Sequence, residues 1–215
     1  MTTTRLDLAL SGNAPEGEFL VIGAKGSDDL SPLDPARTRV QQGHFPDHRA
    51  LTARGYQVAP VIEGRFEAAL VILPRAKAEA HARIADAAAR LSPYAPLWID
   101  GQKTDGVDSV LKELRRLAPV DEVYSKAHGK IFRVTIPSGD WLPPGWASAA
   151  HEVVPGFVTR PGVFSADGID PGSAMLAAAL PDRLPTRIVD LGAGWGWLSA
   201  QALARPDIEV IHLVE

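Results

Sequence analysis

The sequence predicts an α/β protein with two domains, and three observations support this prediction. Apolar strands alternate with helical segments through the first part of the 215-residue chain. Near its end, residues 187–215 read as a strand, a glycine-rich loop, a helix and a second strand. Between these parts, residues 138–156 are rich in proline, glycine and tryptophan, as a linker would be. We therefore divide the chain into a first domain (1–137), this linker (138–156) and a second domain (157–215).

The elements of the first domain follow from its apolar pattern. Strands are predicted at 18–22, 66–73, 96–100, 121–125 and 130–136, and helices at 46–54, 76–91 and 106–117. The helix at 76–91 is alanine-rich, and Ala80, Ile84, Ala87 and Leu91 follow a period near 3.6. The last two strands flank His128-Gly129, which predicts a hairpin. This succession corresponds to the back half of a doubly wound sheet.

Composition excludes several classes of function. The net charge is −4, so no chain-wide basic field attracts nucleic acid, and any RNA contact requires a local patch. The chain has no cysteine, which excludes a disulfide framework and a thiolate zinc site. It shows neither a secretory signal nor an apolar run of about 18 residues that could span a membrane. We expect a cytoplasmic protein without a metal centre.

The tail carries the strongest functional pattern. A strand runs into Asp190, and Gly192, Gly194 and Gly196 follow at alternate positions. Glycines at such positions allow a tight turn and a close approach of the backbone to a ligand. The second strand ends on Glu215, whose carboxylate can accept hydrogen bonds from both hydroxyls of a ribose. The unit therefore predicts a nucleotide-like cofactor, and the agreement of loop, acids and strands disfavours a turn that binds nothing.

Two cofactor classes use this arrangement, and the glycine spacing distinguishes them. Dinucleotide sites prefer G-x-G-x-x-G, whereas this loop reads G-x-G-x-G. The loop resembles motif I of the class I S-adenosylmethionine methyltransferases. The resemblance implies S-adenosyl-L-methionine as cofactor. Asp190 would lie near the amino acid group of the cofactor and Glu215 would hold its ribose. Gly192, Gly194 and Gly196 would bring the protein backbone close to it.

A wider resemblance covers nearly the whole chain. Segments 70–80, 100–114, 160–181 and 189–199 resemble the bacterial small-subunit ribosomal RNA guanine-N2 methyltransferase C family and its large-subunit relatives. Those enzymes have two tandem methyltransferase-like domains, of which the first is degenerate and the second catalytic. The resemblance implies a degenerate Rossmann-like methyltransferase domain here, followed by the beginning of a second, class I domain.

The first domain departs from a working methyltransferase at two places. The loop after its first strand, GAKGSDD (23–29), has only two glycines. Its strand end at 73–75, Leu-Pro-Arg, lacks the acid- or asparagine-proline-proline-aromatic pattern of amino-methylating enzymes. We interpret this domain as a copy that has lost its cofactor loop and catalytic motif.

The segment before the glycine loop supplies further candidates. By resemblance to the part of the family that folds over the amino acid end of the cofactor, Phe164, Ser165, Asp170 and Ser173 are expected to bind it. The alternative is that they pack the entrance to the domain and cap a helix, a role that Asp170 or Ser173 suits.

The family's asparagine-proline-proline-phenylalanine motif, which orients the guanine amine, follows the fourth strand of its second domain. This sequence contains no such motif after its second strand, so no catalytic residue is assigned, and we expect the 215-residue chain by itself to be inactive. We expect a fragment or an incomplete gene model. Residues 186–215 would then be disordered or unusually paired, with an exposed edge open to self-association.

Other polar groups have ordinary interpretations. His44 and His48 flank a proline and lack a third metal ligand, so they are interpreted as surface histidines. Five basic residues could form a local RNA-contacting face, although ordinary solvated charge is the simpler interpretation: Arg75, Lys77, Lys103, Lys126 and Lys130.

The sequence leaves three functions in competition. The first is an S-adenosylmethionine-dependent methyltransferase that modifies a guanine amine in small-subunit rRNA. The second is a non-catalytic module that binds or positions RNA or the ribosomal subunit. The third, an NAD-dependent oxidoreductase, is disfavoured by the spacing of the loop.

Overall fold

The computed structural model describes residues 4–12, 15–147 and 150–215. The chain divides into two compact units, residues 1–148 and 149–215. Among the described residues, no helix has both the length and the apolar character needed to cross a lipid bilayer.

A seven-stranded sheet forms the centre of the first unit. Its strands, β1 to β7, are Phe19–Ile22, Thr38–Gln41, Gln57–Ala59, Ala68–Ile72, Pro96–Gln102, Val120–Lys126 and Gly129–Thr135. Their spatial order is β3-β2-β1-β4-β5-β7-β6. Strands β1 to β5 are parallel, whereas β7 runs antiparallel to both β5 and β6. The strand order reverses between β1 and β4, and open α/β sheets bind ligands at such a reversal.

The helices of the first unit have clear local causes. Helices α1 to α4 are Arg5–Leu10, Phe45–Ala53, Lys77–Ala89 and Val107–Leu114. In α4, the buried side chains are Val107, Val110, Leu111 and Leu114, the spacing of one helix face. Helix α1 begins with a reciprocal cap, in which the Thr4 hydroxyl accepts from the Asp7 amide and the Asp7 carboxylate accepts from the Thr4 amide.

Successive residues of the central strands enter two separate cores. Val21, Leu70 and Trp98 belong to one cluster, whereas Val71 and Ile99 belong to the other. Because neighbouring side chains of a strand point to opposite faces, the two cores cover opposite faces of the sheet. Each of these five side chains is at most 2% exposed. Burial on both faces is what a parallel sheet requires.

The connection from β1 to β2 contains no helix. Residues 23–37 form turns and bends, held to the sheet by the buried Leu30. Gly23 has a φ of +82°, and a Cβ at this position would overlap the guanidinium of Arg83. That guanidinium donates to the carbonyl of Ile72 at the end of β4, with an N–O distance of 2.9 Å. A side chain of the unit itself therefore fills the space beside this glycine.

The predicted elements of the first domain are confirmed with shifted ends, including the hairpin of β6 and β7. The sequence failed to predict α1, β2 and β3. Strands β2 and β3 read TRVQ and QVA, so each is too short and too polar to stand out. The structure therefore corrects one expectation: the first unit contains a complete doubly wound sheet, not only its back half.

The predicted linker contains regular structure. Pro144–Trp146 forms a 3-10 turn, and strand β8 begins at His151. Trp146 is buried and stacks on His81 of α3, with ring centroids 3.8 Å apart and an interplanar angle of 7°. This turn is thereby anchored to the first unit.

The second unit contains two small sheets and two helices in its described residues. Strands β8 (His151–Val154) and β9 (Phe157–Thr159) form an antiparallel hairpin. Helix α5 follows, and then come β10, α6 and β11: Pro171–Ala179, Arg187–Leu191, Trp197–Leu203 and Val210–Val214. Strands β10 and β11 pair in parallel over five residues each.

The expectation of disorder or unusual pairing at 186–215 is wrong. The segment forms the ordinary pairing of a strand–helix–strand unit, because β10 and β11 can join through the crossover helix α6. The expected exposure of this unit is confirmed: Val189 and Leu191 of β10 are 56% and 77% exposed. Within the described residues, β10 pairs only with β11, so its other edge has no strand partner.

Candidate functional site

The glycine loop joins β10 to α6 and has the conformation that its sequence predicts. Gly192, Gly194 and Gly196 have φ values of +77°, +56° and +85°, which side chains disfavour. The amides of Gly192 and Ala193 both donate to the carbonyl of Val214, at 2.8 and 3.1 Å. A Cβ at Gly192 or Gly194 would meet no atom within 4 Å. The backbone of the loop is therefore held in place while open space lies beside it.

Asp190 lies at the end of β10, immediately before this loop. Its carboxylate accepts a hydrogen bond from the hydroxyl of Ser199 on α6, with an O–O distance of 2.6 Å. Ser199 is only 3% exposed, so the contact fixes the carboxylate from inside the unit. Asp190 therefore has a defined orientation toward the loop and keeps its other oxygen for a further contact.

The glycine loop and the start of α6 form one wall of a surface depression, and the segment from 164 to 173 forms the other. Ser165 has a φ of +51°, and its hydroxyl donates to the carbonyl of Gly168 at 2.7 Å. Asp170 caps α5 by accepting from the amide of Ser173 at 2.8 Å. The helix-cap alternative is thus correct for Asp170, and Ser173 supplies the capped amide. Phe164 is 67% exposed, so packing inside the unit does not explain it.

These two walls enclose a shallow depression of about 70 Å³. Seven of the nine predicted cofactor-binding residues line it: Phe164, Ser165, Asp170, Ser173, Asp190, Gly192 and Gly194. Sequence reasoning missed Ala193, Trp195, Trp197 and Leu198, which also line it. Ala193 and Trp195 alternate with the glycines of the loop, and Trp197 and Leu198 begin α6. Their closeness in sequence to the glycines could have predicted that they line the depression.

Gly196 and Glu215 lie outside the wall of the depression. Gly196 precedes α6, and a Cβ there would come 3.4 Å from a methyl group of Leu213. The carboxylate of Glu215 accepts from the amide of Gly194 at 2.7 Å. One carboxylate oxygen of Glu215 therefore holds the loop, and its role toward a ribose remains a prediction.

An aromatic contact connects the glycine loop to the hairpin of β8 and β9. The rings of Phe157 and Trp195 meet edge to face, with centroids 5.3 Å apart and an angle of 68°. The loop is thus held by β11 on one side and by this ring on another.

The residues present fit S-adenosylmethionine. The open space beside Gly192 and Gly194 admits close approach of a ligand, and carboxylates suit an ammonium group. Asp170 and Asp190, at the two walls, are such carboxylates, and the exposed ring of Phe164 offers an apolar or cation–π surface. Within the described residues, no cluster of three metal-ligating side chains occurs.

The histidines and basic residues of the first unit have local partners in several cases. His44 contacts the Asp47 carboxylate at 2.7 Å, and the amide of Gly26 together with His44 lowers the pKa of Asp47. Lys77 pairs with Glu113 at 2.6 Å. Lys130 pairs with Asp108, so Lys77 and Lys130 of the candidate RNA contacts take part in ion pairs.

The sheet order of the first unit and the glycine loop of the second define a protein of the class I methyltransferase fold. A family model, the methyltransferase small domain N-terminal, matches residues 12–138. A second model, the methyltransferase small domain, matches residues 155–215. The chain belongs to the methyltransferase small domain N-terminal family, because that model covers more than half of it.

Comparisons with individual proteins agree with this assignment. The chain is 31% identical over 204 residues to a ribosomal RNA small subunit methyltransferase C of Pseudomonas putida, covering 88% of this chain and 60% of that protein. It is 30% identical over 210 residues to the protein of the same name from Stutzerimonas stutzeri, covering 92% and 62%. The chain thus spans about three fifths of the length of these curated relatives.

A solved structure gives the same result. The chain is similar to a T. thermophilus 16S rRNA N2 methyltransferase solved in complex with AdoMet and guanosine, with a TM-score of 0.73 and 27% identity. The similarity covers 97% of this chain and 61% of that one. The predicted resemblance and fold class are therefore confirmed.

Proposed function

We propose that this chain is part of an S-adenosylmethionine-dependent methyltransferase that modifies the exocyclic amine of a guanine in small-subunit rRNA. The observation that carries the proposal is the depression of the second unit, where two separate segments place seven predicted cofactor-binding residues together. The names of the relatives support the RNA substrate. A cytoplasmic location is proposed with it, because the relatives are ribosomal RNA methyltransferases of bacteria.

The proposed role of the chain's residues is binding and orientation. Asp170 and Asp190 hold the ammonium end of the cofactor from two walls, and Ser199 keeps Asp190 in its orientation. Glu215 and the backbone of the loop hold the adenosine end. The bound cofactor supplies an electrophilic methyl group. No residue of this chain is assigned to the reacting amine, so catalysis within this proposal depends on positioning.

Calorimetric titration of the 215-residue chain with S-adenosylhomocysteine tests this proposal. We expect binding, and we expect Asp190→Asn to weaken it about tenfold because one charge-assisted contact is lost. Asp182→Asn is the matched control, since Asp182 is exposed and lies outside the depression. Binding of NADH in place of S-adenosylhomocysteine would contradict the proposal.

A second function has one observation in its favour. Arg83 of the first unit occupies the space beside Gly23, so this unit can serve as a non-catalytic module that positions RNA or the ribosomal subunit. Methyl transfer to purified small subunits separates the two functions. Subunit binding without methyl transfer by the full-length protein that contains this chain would favour the module.

A further inference from the structure

A cavity of about 370 Å³ lies in the first unit, at the carboxyl ends of its parallel strands. Its walls come from α1, the helix-free connection after β1, the ends of β4 and β5, and the turn between β6 and β7. It borders β4, next to the reversal of strand order, which is the position where open α/β sheets bind ligands. Its size falls within the range of about 300–1,000 Å³ typical of small-molecule sites.

Half of the residues that line the cavity are apolar, and the other half are polar or charged. Leu6, Leu30, Leu70, Ile72 and Ile131 supply the apolar surface. Such side chains offer apolar surface against which the face of a flat ring can pack.

One carboxylate in this cavity has room for a ligand. Asp28 accepts from the amide of Lys25 at 2.7 Å through one oxygen, and the described residues show no ion pair to its carboxylate. By contrast, Asp100 is held bidentately by Arg5, at 2.6 and 3.0 Å. Burial raises the pKa of Asp28, and the neighbouring carboxylates of Asp100 and Asp47 act in the same direction. A group that donates hydrogen bonds to Asp28 would stabilise its carboxylate and so offset the unfavourable burial of this charge.

The charges of the cavity select among ligands. Asp28, Asp29 and Asp100 face it, against the cations of Arg5 and Lys126. The excess of acid disfavours a phosphate and favours a neutral ring with N–H donors. The edge of guanine presents two adjacent donors, which match the two acceptors of a carboxylate.

We propose that this cavity binds a nucleobase, with Asp28 accepting hydrogen bonds from the amino edge of a guanine. The choice of ring rests on the proposed RNA substrate, whereas the site lies in the first unit and is separate from the depression of the second. The same base chemistry can come from a free nucleoside or from an unstacked nucleotide of RNA. The first unit then has a ligand site of its own, although it lacks the glycine loop of a methyltransferase.

The experiment is a calorimetric titration of the 215-residue chain with guanosine, with inosine and with a short single-stranded oligoribonucleotide that contains one guanine. Inosine differs from guanosine only by the missing amino group, so we expect at least tenfold weaker binding of inosine. We expect Asp28→Asn to weaken guanosine or oligonucleotide binding at least tenfold. The probe that binds more tightly identifies the source of the base.

Three controls separate the outcomes. Asp34→Asn lies in the same connection, is exposed and lies outside the cavity, so it should leave binding unchanged. S-adenosylhomocysteine binding, measured on the same samples, reports on the proposed cofactor site independently. Thermal unfolding of Asp28→Asn shows whether the variant is folded. Equal binding to wild type and Asp28→Asn, equal binding of inosine and guanosine, or loss of guanosine binding in Asp190→Asn alone would overturn the proposal.

Discussion

Asp28 carries a charge that its surroundings disfavour. Burial raises its pKa above the ordinary value of 3.8, and the amide and the positive charge of Lys25 offset this only in part. A carboxyl group with a raised folded-state pKa destabilises the fold at high pH, because the unfolded chain ionises more readily. The destabilisation is fully present above the folded-state pKa and disappears as the pH falls below 3.8.

We therefore expect Asp28→Asn to be more stable than wild type at pH 7. The expected gain in Tm is about 2 °C, because a gain of less than about 1 kcal/mol in the free energy of unfolding shifts Tm by this amount in a chain of this length. The gain should shrink as the pH is lowered toward 4. Thermal unfolding followed by circular dichroism at several pH values measures it. A constant difference between pH 7 and pH 4 would contradict the electrostatic explanation.

Ser199 is a positioning residue for Asp190 and has no predicted contact with the ligand. Ser199→Ala removes the 2.6 Å hydrogen bond that orients the carboxylate. We expect S-adenosylhomocysteine binding to weaken about threefold to tenfold, which corresponds to about 1 kcal/mol for one hydrogen bond. Titration calorimetry measures this loss, and Ser199→Thr should restore most of it because the hydroxyl is kept. Equal binding by wild type and Ser199→Ala would show that the hydroxyl does not position Asp190.

At the scale of elements, the 3-10 turn at Pro144–Trp146 is the part of the predicted linker that the first unit holds. Trp146 is 7% exposed and stacked on His81, whose ring also contacts Glu113 at 2.8 Å. The turn therefore contributes to the core between α3 and the sheet.

Trp146→Ala should destabilise the first unit by about 2–4 kcal/mol, because it removes a large buried ring and the stacking of that ring on His81. Trp146→Phe should cost less than half as much, since most of the apolar area and a ring face remain. Chemical denaturation measures both values. Equal effects of alanine and phenylalanine would indicate that the stack on His81 contributes nothing.

The elements that could be predicted share one property: their signal is local. Helix α3 repeats alanine and isoleucine at helical spacing, and β4 reads AALVI without a polar residue. Strands β2 and β3 were missed because their stability comes from parallel pairing with β1 and with each other, which the sequence does not display. The hairpin of β8 and β9 was missed for the same reason, since HEVV and FVT are short and only Thr159 among them is buried.

The candidate site follows the same division. The glycine loop and Asp190 could be predicted because turn geometry and chemistry are encoded in consecutive residues. The tryptophans at 195 and 197 were missed, since nothing in their spacing shows which way they face. The cavity of the first unit could not be predicted at all, because its wall comes from five separate segments.

At the scale of the whole molecule, the second unit exposes much apolar surface. Leu191 of β10 is 77% exposed, and Met175 of α5 is 75% exposed. Strand β10 has one edge without a strand partner in the described part of the chain, and such edges favour pairing with another chain.

We expect the 215-residue chain to self-associate as its concentration rises. Leu191→Lys should reduce this association, because a charge at a free strand edge opposes pairing. Sedimentation velocity over a hundredfold concentration range measures the effect. Val61→Lys, at a position of the first unit that is 60% exposed, is the control and should leave association unchanged. A monomer at all concentrations, or equal association of both variants, would contradict the prediction.

The guanidinium of Arg83 beside Gly23 affects how the stability of each unit depends on the supply of metabolites in the cell. Where a protein binds a metabolite only when folded, its resistance to unfolding rises and falls with the supply of that metabolite. At this position the first unit supplies its own group, which is covalently attached and always present. The contact of Arg83 with the carbonyl of Ile72 therefore does not depend on the supply of a methyl donor, whereas the glycine loop of the second unit should gain protection from proteolysis when the proposed donor is plentiful.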